Sequence, residues 1–186
     1  MQESYSTIYA NLWRRHWWWR VRHELVMRTV AQLFHGDETP PSGRTIFDIG
    51  CAGGVSFDDL SQYGEVYGLE PDPTLVDACP QWRAYIELTG FGPEYAPSRQ
   101  YDLVLMLDVL EHLEDDVTAL GSLRQLLKSG GRAILTVPSA PVNRLFAGLS
   151  RTEQRLMRLG VRWPLGSSLL AVVARPRERS LVEEQA

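Results

Sequence analysis

The chain has 186 residues, a formal net charge of −4 and 44% hydrophobic residues, which suits a single domain with a sizeable core and argues against nucleic acid as a bulk partner. Its two cysteines, Cys51 and Cys79, form no zinc-type cluster, and Cys51 reads as a packing residue. No secretory signal is expected, and the longest apolar run, Leu169 to Ala174, is far too short for a transmembrane segment, so a reducing cytoplasm is the expected location.

Residues from about Tyr9 to Phe34 predict a helix. No Gly or Pro interrupts them, and Trp13, Trp17, Val21, Leu25 and Arg28 recur at helical spacing. The segment from Arg14 to Arg20 sets three consecutive tryptophans between arginines. One reading packs these rings against the sheet edge. A second makes the segment a lid over a ligand cleft, with His16, Trp17 and Trp18 facing the ligand. A third is peripheral membrane or partner contact, which Trp with flanking Arg suits. His35 to Gly43 is a linker by composition.

Thr45 to Ile49 reads as a short buried strand, followed by Gly50, Cys51, Ala52, Gly53 and Gly54. Glycine permits positive φ and close approach of backbone to a ligand. Asp48 stands just before the turn, where a carboxylate can order loop amides or a ligand cation. A helix is expected over Val55 to Tyr63. A second strand, Val66 to Leu69, ends in Glu70, about twenty residues after the first. In dinucleotide-type folds an acid at that spacing accepts hydrogen bonds from ribose hydroxyls. A nicotinamide site would need Gly-x-Gly-x-x-Gly, which this order does not supply, and an acid leading the turn suits a ligand with an amino group and a sulfonium.

Asp72 and Pro73, after Pro71, predict the start of a short helix. Trp82 to Leu88 is the expected third strand, and Glu87 is the nearest acid for an adenine contact. Tyr101 to Leu107 reads as a buried parallel strand that runs into Asp108, Glu111 and His112 at the end where open α/β sheets bind ligands. A helix capped by Asp115 should bury Leu120, Leu123, Leu126 and Leu127 and stop at Gly130-Gly131. Arg132 to Pro138 is the fifth strand. Beyond it an amphipathic, Arg-rich helix is expected over Val142 to Leu159, then a turn at Pro164 to Gly166 and a last strand from Ser167 to Ala174.

Several of these blocks carry a resemblance. Asp48 to Gly54 resembles motif I of the class I S-adenosylmethionine-dependent methyltransferases, commonly Asp-x-Gly-x-Gly-x-Gly, with Ala52 at the middle glycine. Asp108 to Leu113 resembles the Asp-x-x-Glu-His segment of many type 11 members. The His-Trp-Trp segment resembles the N-terminal helix of the type 11, 12 and 23 subgroup. The resemblance implies a doubly wound, Rossmann-like, mostly parallel α/β sheet of order 3-2-1-4-5-7, with the sixth strand missing and the seventh antiparallel. It implies one domain: lid and linker over 1–43, cofactor core over 44–138, and a shortened C-terminal part over 139–186.

The implied cofactor is S-adenosyl-L-methionine, with S-adenosyl-L-homocysteine as product and a small molecule as acceptor. Asp48, Gly50, Cys51, Ala52, Gly53 and Gly54 would hold its methionine part, Glu70 and Pro71 its ribose, and Leu107 and Asp108 would line the methionine end. His112 would be the catalytic base, with His16, Trp17, Trp18 and Glu111 at the acceptor or lid. Asp108, Glu111 and His112 also carry chelating groups, but acids at a helix start more often serve as caps, and no metal is expected. The alternative is a non-catalytic, methyltransferase-like binding or scaffold protein. The oligomeric state is open.

Overall fold

The computed structural model describes residues 16–138 and 168–177. The expected start of the first helix at Tyr9, Trp13, the helix over Val142 to Leu159 and the turn at Pro164 to Gly166 lie outside the described residues.

Ten regular elements follow in order: α1 (Trp17–Leu33), β1 (Thr45–Ile49), α2 (Phe57–Leu60), β2 (Glu65–Leu69), α3 (Pro73–Asp77), β3 (Ile86–Glu87), β4 (Tyr101–Leu107), α4 (Asp116–Leu126), β5 (Leu127–Pro138) and β6 (Ser168–Ala174). The strands form one six-stranded sheet of order β3-β2-β1-β4-β5-β6. All neighbours are parallel except β5 and β6. The α/β doubly wound sheet and the antiparallel last strand match the expectation.

Side chains alternate across a strand, so each strand feeds two cores. Ile46, Leu103, Leu105 and Ile134 face α1 and α2, meeting Val26, Val30, Phe57 and Leu60. Phe47, Ile49, Val104, Met106 and Leu135 face α4, meeting Ala119, Leu123 and Leu126. Helices on both faces of a mostly parallel sheet leave only its strand ends open to a ligand. Asp102 fastens the opposite end, accepting from the Thr45 amide at 2.7 Å and the Lys128 ammonium at 2.7 Å.

Several expectations are corrected, and the inward flank of α1, which the spacing left open, is settled. The buried stripe of α1 is Arg22, Val26 and Val30, whereas Val21 and Leu25 are exposed, Leu25 by 51%. A helix with apolar groups on several sides turns inward the flank that best fills the sheet face. The helix after the glycine turn spans only Phe57–Leu60, since the turn itself continues to Ser56. The third strand shrinks to Ile86–Glu87, because Pro80–Tyr85 winds into a 3₁₀ helix whose Trp82 packs edge-on against Phe57 at 5.4 Å.

The helix from Asp116 ends at Leu126, and β5 begins at once with Leu127, five residues earlier than expected. Gly130, at φ +78°, lies in a bulged stretch of that strand and does not end the helix. Leu120 is exposed, whereas Leu123 and Leu126 are buried in α4 and Leu127 in β5.

β6 lies on the β5 side of the sheet, and its Leu169, Val172 and Val173 are exposed. Just past it Arg175 returns to the start of β5. Its amide donates to Gly131 at 2.9 Å, its carbonyl accepts from Gly130 at 3.1 Å, and its guanidinium reaches the Leu127 carbonyl at 2.8 Å.

Candidate functional site

The carboxyl ends of β1, β2 and β4 lie side by side, since Ile49 pairs with Leu69 on one flank and Met106 on the other. Each of these strands contributes an acid at or near this end: Asp48, Glu70 and Asp108. The turn after β1 rises between the other two.

Gly50, Gly53 and Gly54 have φ of +72°, +78° and +84°, and Ala52 joins them at +47°. A Cβ at Gly50 would meet Val109 Cγ2 at 2.5 Å, and one at Gly53 would run into the Leu75 carbonyl. Backbone hydrogen bonds set the turn: the Gly50 and Cys51 amides both donate to the Leu69 carbonyl, at 2.7 and 3.1 Å. Ala52 therefore occupies a left-handed conformation that costs an L-residue roughly 1–2 kcal/mol. Its amide is held by Glu70 Oε2 at 2.9 Å, while Glu70 Oε1 accepts from the Asp72 amide at 3.0 Å. The Glu70 side chain, 6% exposed, thus braces the glycine turn and the entry to α3.

Asp48 turns inward, away from the loop amides, and accepts from the Ser56 hydroxyl at 2.8 Å. It is 3% exposed. Burial pushes its pKa up to about 7; the Ser56 hydrogen bond opposes the rise, Glu70 adds to it and Arg22 pulls it down. Cys51 is buried beside it as a free thiol. Burial, with Asp48 and Glu70 nearby, raises its pKa, so it stays protonated and inert.

Asp108 follows β4 at φ +55°. Its amide donates to the Thr136 carbonyl at 2.9 Å, and Oδ1 accepts from the Thr136 hydroxyl at 2.8 Å. Oδ2 forms an ion pair with Arg22 of α1. Arg22 is 7% exposed, and its guanidinium lies over the rings of Trp18 and Trp19, 4.7 and 4.5 Å from their centroids. Arg22, Ser56, Thr136 and Val109 were missed by sequence reasoning. Only Arg22 left a signal, at helical spacing ahead of Val26 and Val30.

The remaining candidates scatter. Leu107 ends β4, half-buried against the α1 side of the sheet, and Pro71 is exposed. Glu111 and His112 sit exposed in the turn Leu110–His112. His16 caps α1 by position only and stacks on Trp17, with ring centroids 6.1 Å apart. A cavity of about 420 Å³ opens beside Trp17, Arg20, Val21, His23 and Glu24. Glu87 accepts from the Tyr95 hydroxyl at 3.2 Å. Among the described residues no group of three His, Cys, Asp or Glu side chains is gathered to hold a metal ion.

Residues 13–181 match the family described as the methyltransferase domain. The chain belongs to that family. This methyltransferase-domain chain is 27% identical over 151 residues to a ubiquinone biosynthesis O-methyltransferase of Cereibacter sphaeroides, covering 70% of the chain and 60% of the relative. It thus spans about three fifths of the length of that curated relative.

The N-methyltransferase NodS of Bradyrhizobium japonicum WM9, solved with S-adenosyl-L-homocysteine, aligns with a TM-score of 0.63 at 19% identity, over 89% of this chain and 91% of its own. The DszA carbon methyltransferase aligns at 0.56 and 16% identity, over 70% of this chain and 38% of its own. These likenesses establish the methyltransferase fold. The three relatives act, by name, on oxygen, nitrogen and carbon, so the fold does not choose the acceptor atom.

Proposed function

We propose that the chain binds S-adenosyl-L-methionine and transfers its methyl group to a small-molecule acceptor, releasing S-adenosyl-L-homocysteine. The observation that carries this reading is the rim itself: a left-handed glycine turn between Glu70 and Asp108 at the carboxyl ends of adjacent parallel strands. The donor set fits the ligand. Carboxylates beside the turn attract a sulfonium and an ammonium and repel a pyrophosphate.

Glu70 accepts from the ribose hydroxyls through its second lone pairs, with Pro71 beside it. The backbone of Gly50, Cys51, Ala52, Gly53 and Gly54 runs along the methionine part, Asp48 supports that turn through Ser56, and Leu107 and Asp108 line the methionine end. When bound, the cofactor supplies a methyl on sulfonium, which an acceptor lone pair takes up as the carbon–sulfur bond breaks and its electron pair stays on sulfur. The protein's work is alignment, which contributes roughly 7–11 kcal/mol in favourable cases. His112 in the turn after β4 takes the acceptor's proton. Glu111, His16, Trp17 and Trp18 close the acceptor side.

We place the protein in the cytoplasm, supported by the buried Cys51 thiol; no described helix is long and apolar enough to cross a membrane.

Calorimetric titration with S-adenosyl-L-homocysteine tests the cofactor assignment. Micromolar binding by the intact chain is expected, and its absence would sink the assignment. Release of S-adenosyl-L-homocysteine with a panel of phenols, hydroquinones and amines then tests transfer. Binding without release from any of them would leave a non-catalytic binding protein.

A further inference from the structure

We infer that Arg22 is a positioning residue: its ion pair with Asp108, covered by Trp18 and Trp19, latches the N-terminal helix onto the cofactor rim and keeps the loop after β4 in its binding shape. The inference rests on the cofactor reading above and deepens it.

The argument begins with an oddity of α1. Its buried stripe is Arg22, Val26 and Val30. The two valines pack on the sheet with Ile46, Leu103 and Leu105, and an aliphatic side chain at position 22 would continue that core. A buried guanidinium is costly unless it is paired and hydrogen-bonded. Here the pairing partner is the one carboxylate of the rim whose own backbone is left-handed and not glycine, Asp108 at φ +55°.

Asp108 is held from two sides. Thr136 of β5 grips its amide and Oδ1, and Arg22 grips Oδ2. The next residue, Val109, fills the space beside Gly50, where a Cβ would come within 2.5 Å of Val109 Cγ2. Contact therefore runs from α1 through Arg22 and Asp108 to Val109 and the glycine turn. Trp18 and Trp19 meet edge to face at 5.0 Å and cover the guanidinium, which strengthens the pair by excluding water. Arg22 also lies close enough to Asp48 to lower its pKa, so one cation from the N-terminal helix serves two acids of the site.

The test is a double-mutant cycle of Arg22→Met and Asp108→Asn, read two ways. In ligand-free protein, hydrogen exchange should accelerate over residues 17–22 and 107–113 in either single variant, while β1 and β5 amides keep their protection. In titrations, each single change should raise the Kd for S-adenosyl-L-homocysteine about tenfold, and the double variant should be no worse than either single one. Arg22→Lys should recover only part of the loss, since an ammonium lacks the planar fork.

Unchanged exchange over 107–113 in Arg22→Met, or Kd effects that multiply in the double variant, would overturn the latch. If Arg22→Met does not fold, Arg22→Lys, which keeps the charge but not the fork, is read by hydrogen exchange over 107–113 against the intact chain, and unchanged exchange there overturns the latch. If the intact chain binds no S-adenosyl-L-homocysteine, the function proposed above fails and the positioning role with it, while the exchange coupling separately reports whether the latch exists.

Discussion

Glu70 Oε2 and the Ala52 amide lie 2.9 Å apart, and the other Glu70 oxygen takes the Asp72 amide at 3.0 Å. The acid that ends β2 therefore serves the glycine turn before any ligand arrives. Replacing Glu70 with Ala leaves two inward-facing amides without acceptors, and each orphaned group costs about 1–3 kcal/mol. Glu70→Ala should lower unfolding free energy by roughly 2–4 kcal/mol and abolish cofactor binding. Urea unfolding beside calorimetry separates the two effects; a loss of stability near zero would mean that the carboxylate does not brace the turn.

Ala52 holds a glycine-like conformation with a methyl group attached. Ala52→Gly relieves roughly 1–2 kcal/mol of left-handed strain and costs about 0.4–1 kcal/mol in unfolded-chain entropy. A net gain of about 0.5–1 kcal/mol is expected. A rise in Tm with unchanged cofactor affinity would show that the alanine is strained yet compatible with binding. A fall in Tm would place the strain elsewhere.

Gly53 allows no such exchange. Its φ is +78°, and a Cβ there would press on the Leu75 carbonyl, which is backbone of α3 and cannot swing aside. Gly53→Ala should cost more than about 3 kcal/mol, combining strain with overpacking. Denaturant unfolding is the measurement, and a loss below 1 kcal/mol would mean that α3 yields easily.

Asp48 predicts a pH signature. Its folded-state pKa lies near 7, raised from 3.8 by burial. The folded chain therefore holds a proton between those values that the unfolded chain releases, and stability falls as pH rises. The contribution is complete below pH 3.8 and lost once pH passes about 7. Asp48→Asn, which stays neutral, should remove that slope and exceed the wild type at pH 8 by something of the order of 2–4 kcal/mol. Chemical denaturation from pH 5 to 8.5 checks this; parallel wild-type and variant curves would refute the buried, protonated acid.

Local features that write themselves into residue order were legible without coordinates. An apolar strand of five residues running into glycines announces β1 and its turn, because few other residues accept positive φ. The acid ending β2 and the Asp-x-x-Glu-His block place the ends of β2 and β4. Continuous apolar runs identify buried parallel strands, whereas the sheet order and the antiparallel last strand, seen here as Ser168–Ala174, were implied by the family resemblance. Cap chemistry located the helix start at Asp72, whose side chain accepts from the Thr74 amide.

Tertiary packing decided the rest, for reasons no local pattern carries. Which flank of α1 turns inward depends on the shape of the sheet face, and it selected Arg22, Val26 and Val30 over Val21 and Leu25. The length of β3 was set by Trp82, which joins the Phe57 side of the core instead of the strand. The inward turn of Asp48 to Ser56, and its raised pKa, follow from burial, which residue order does not reveal. The meeting of Arg22 with Asp108 joins distant segments. Residue types and spacings name the chemical groups available to this chain; only the closing of the sheet brings an arginine from its first described helix onto the acid at the end of its fourth strand, because that contact exists solely when both cores are formed.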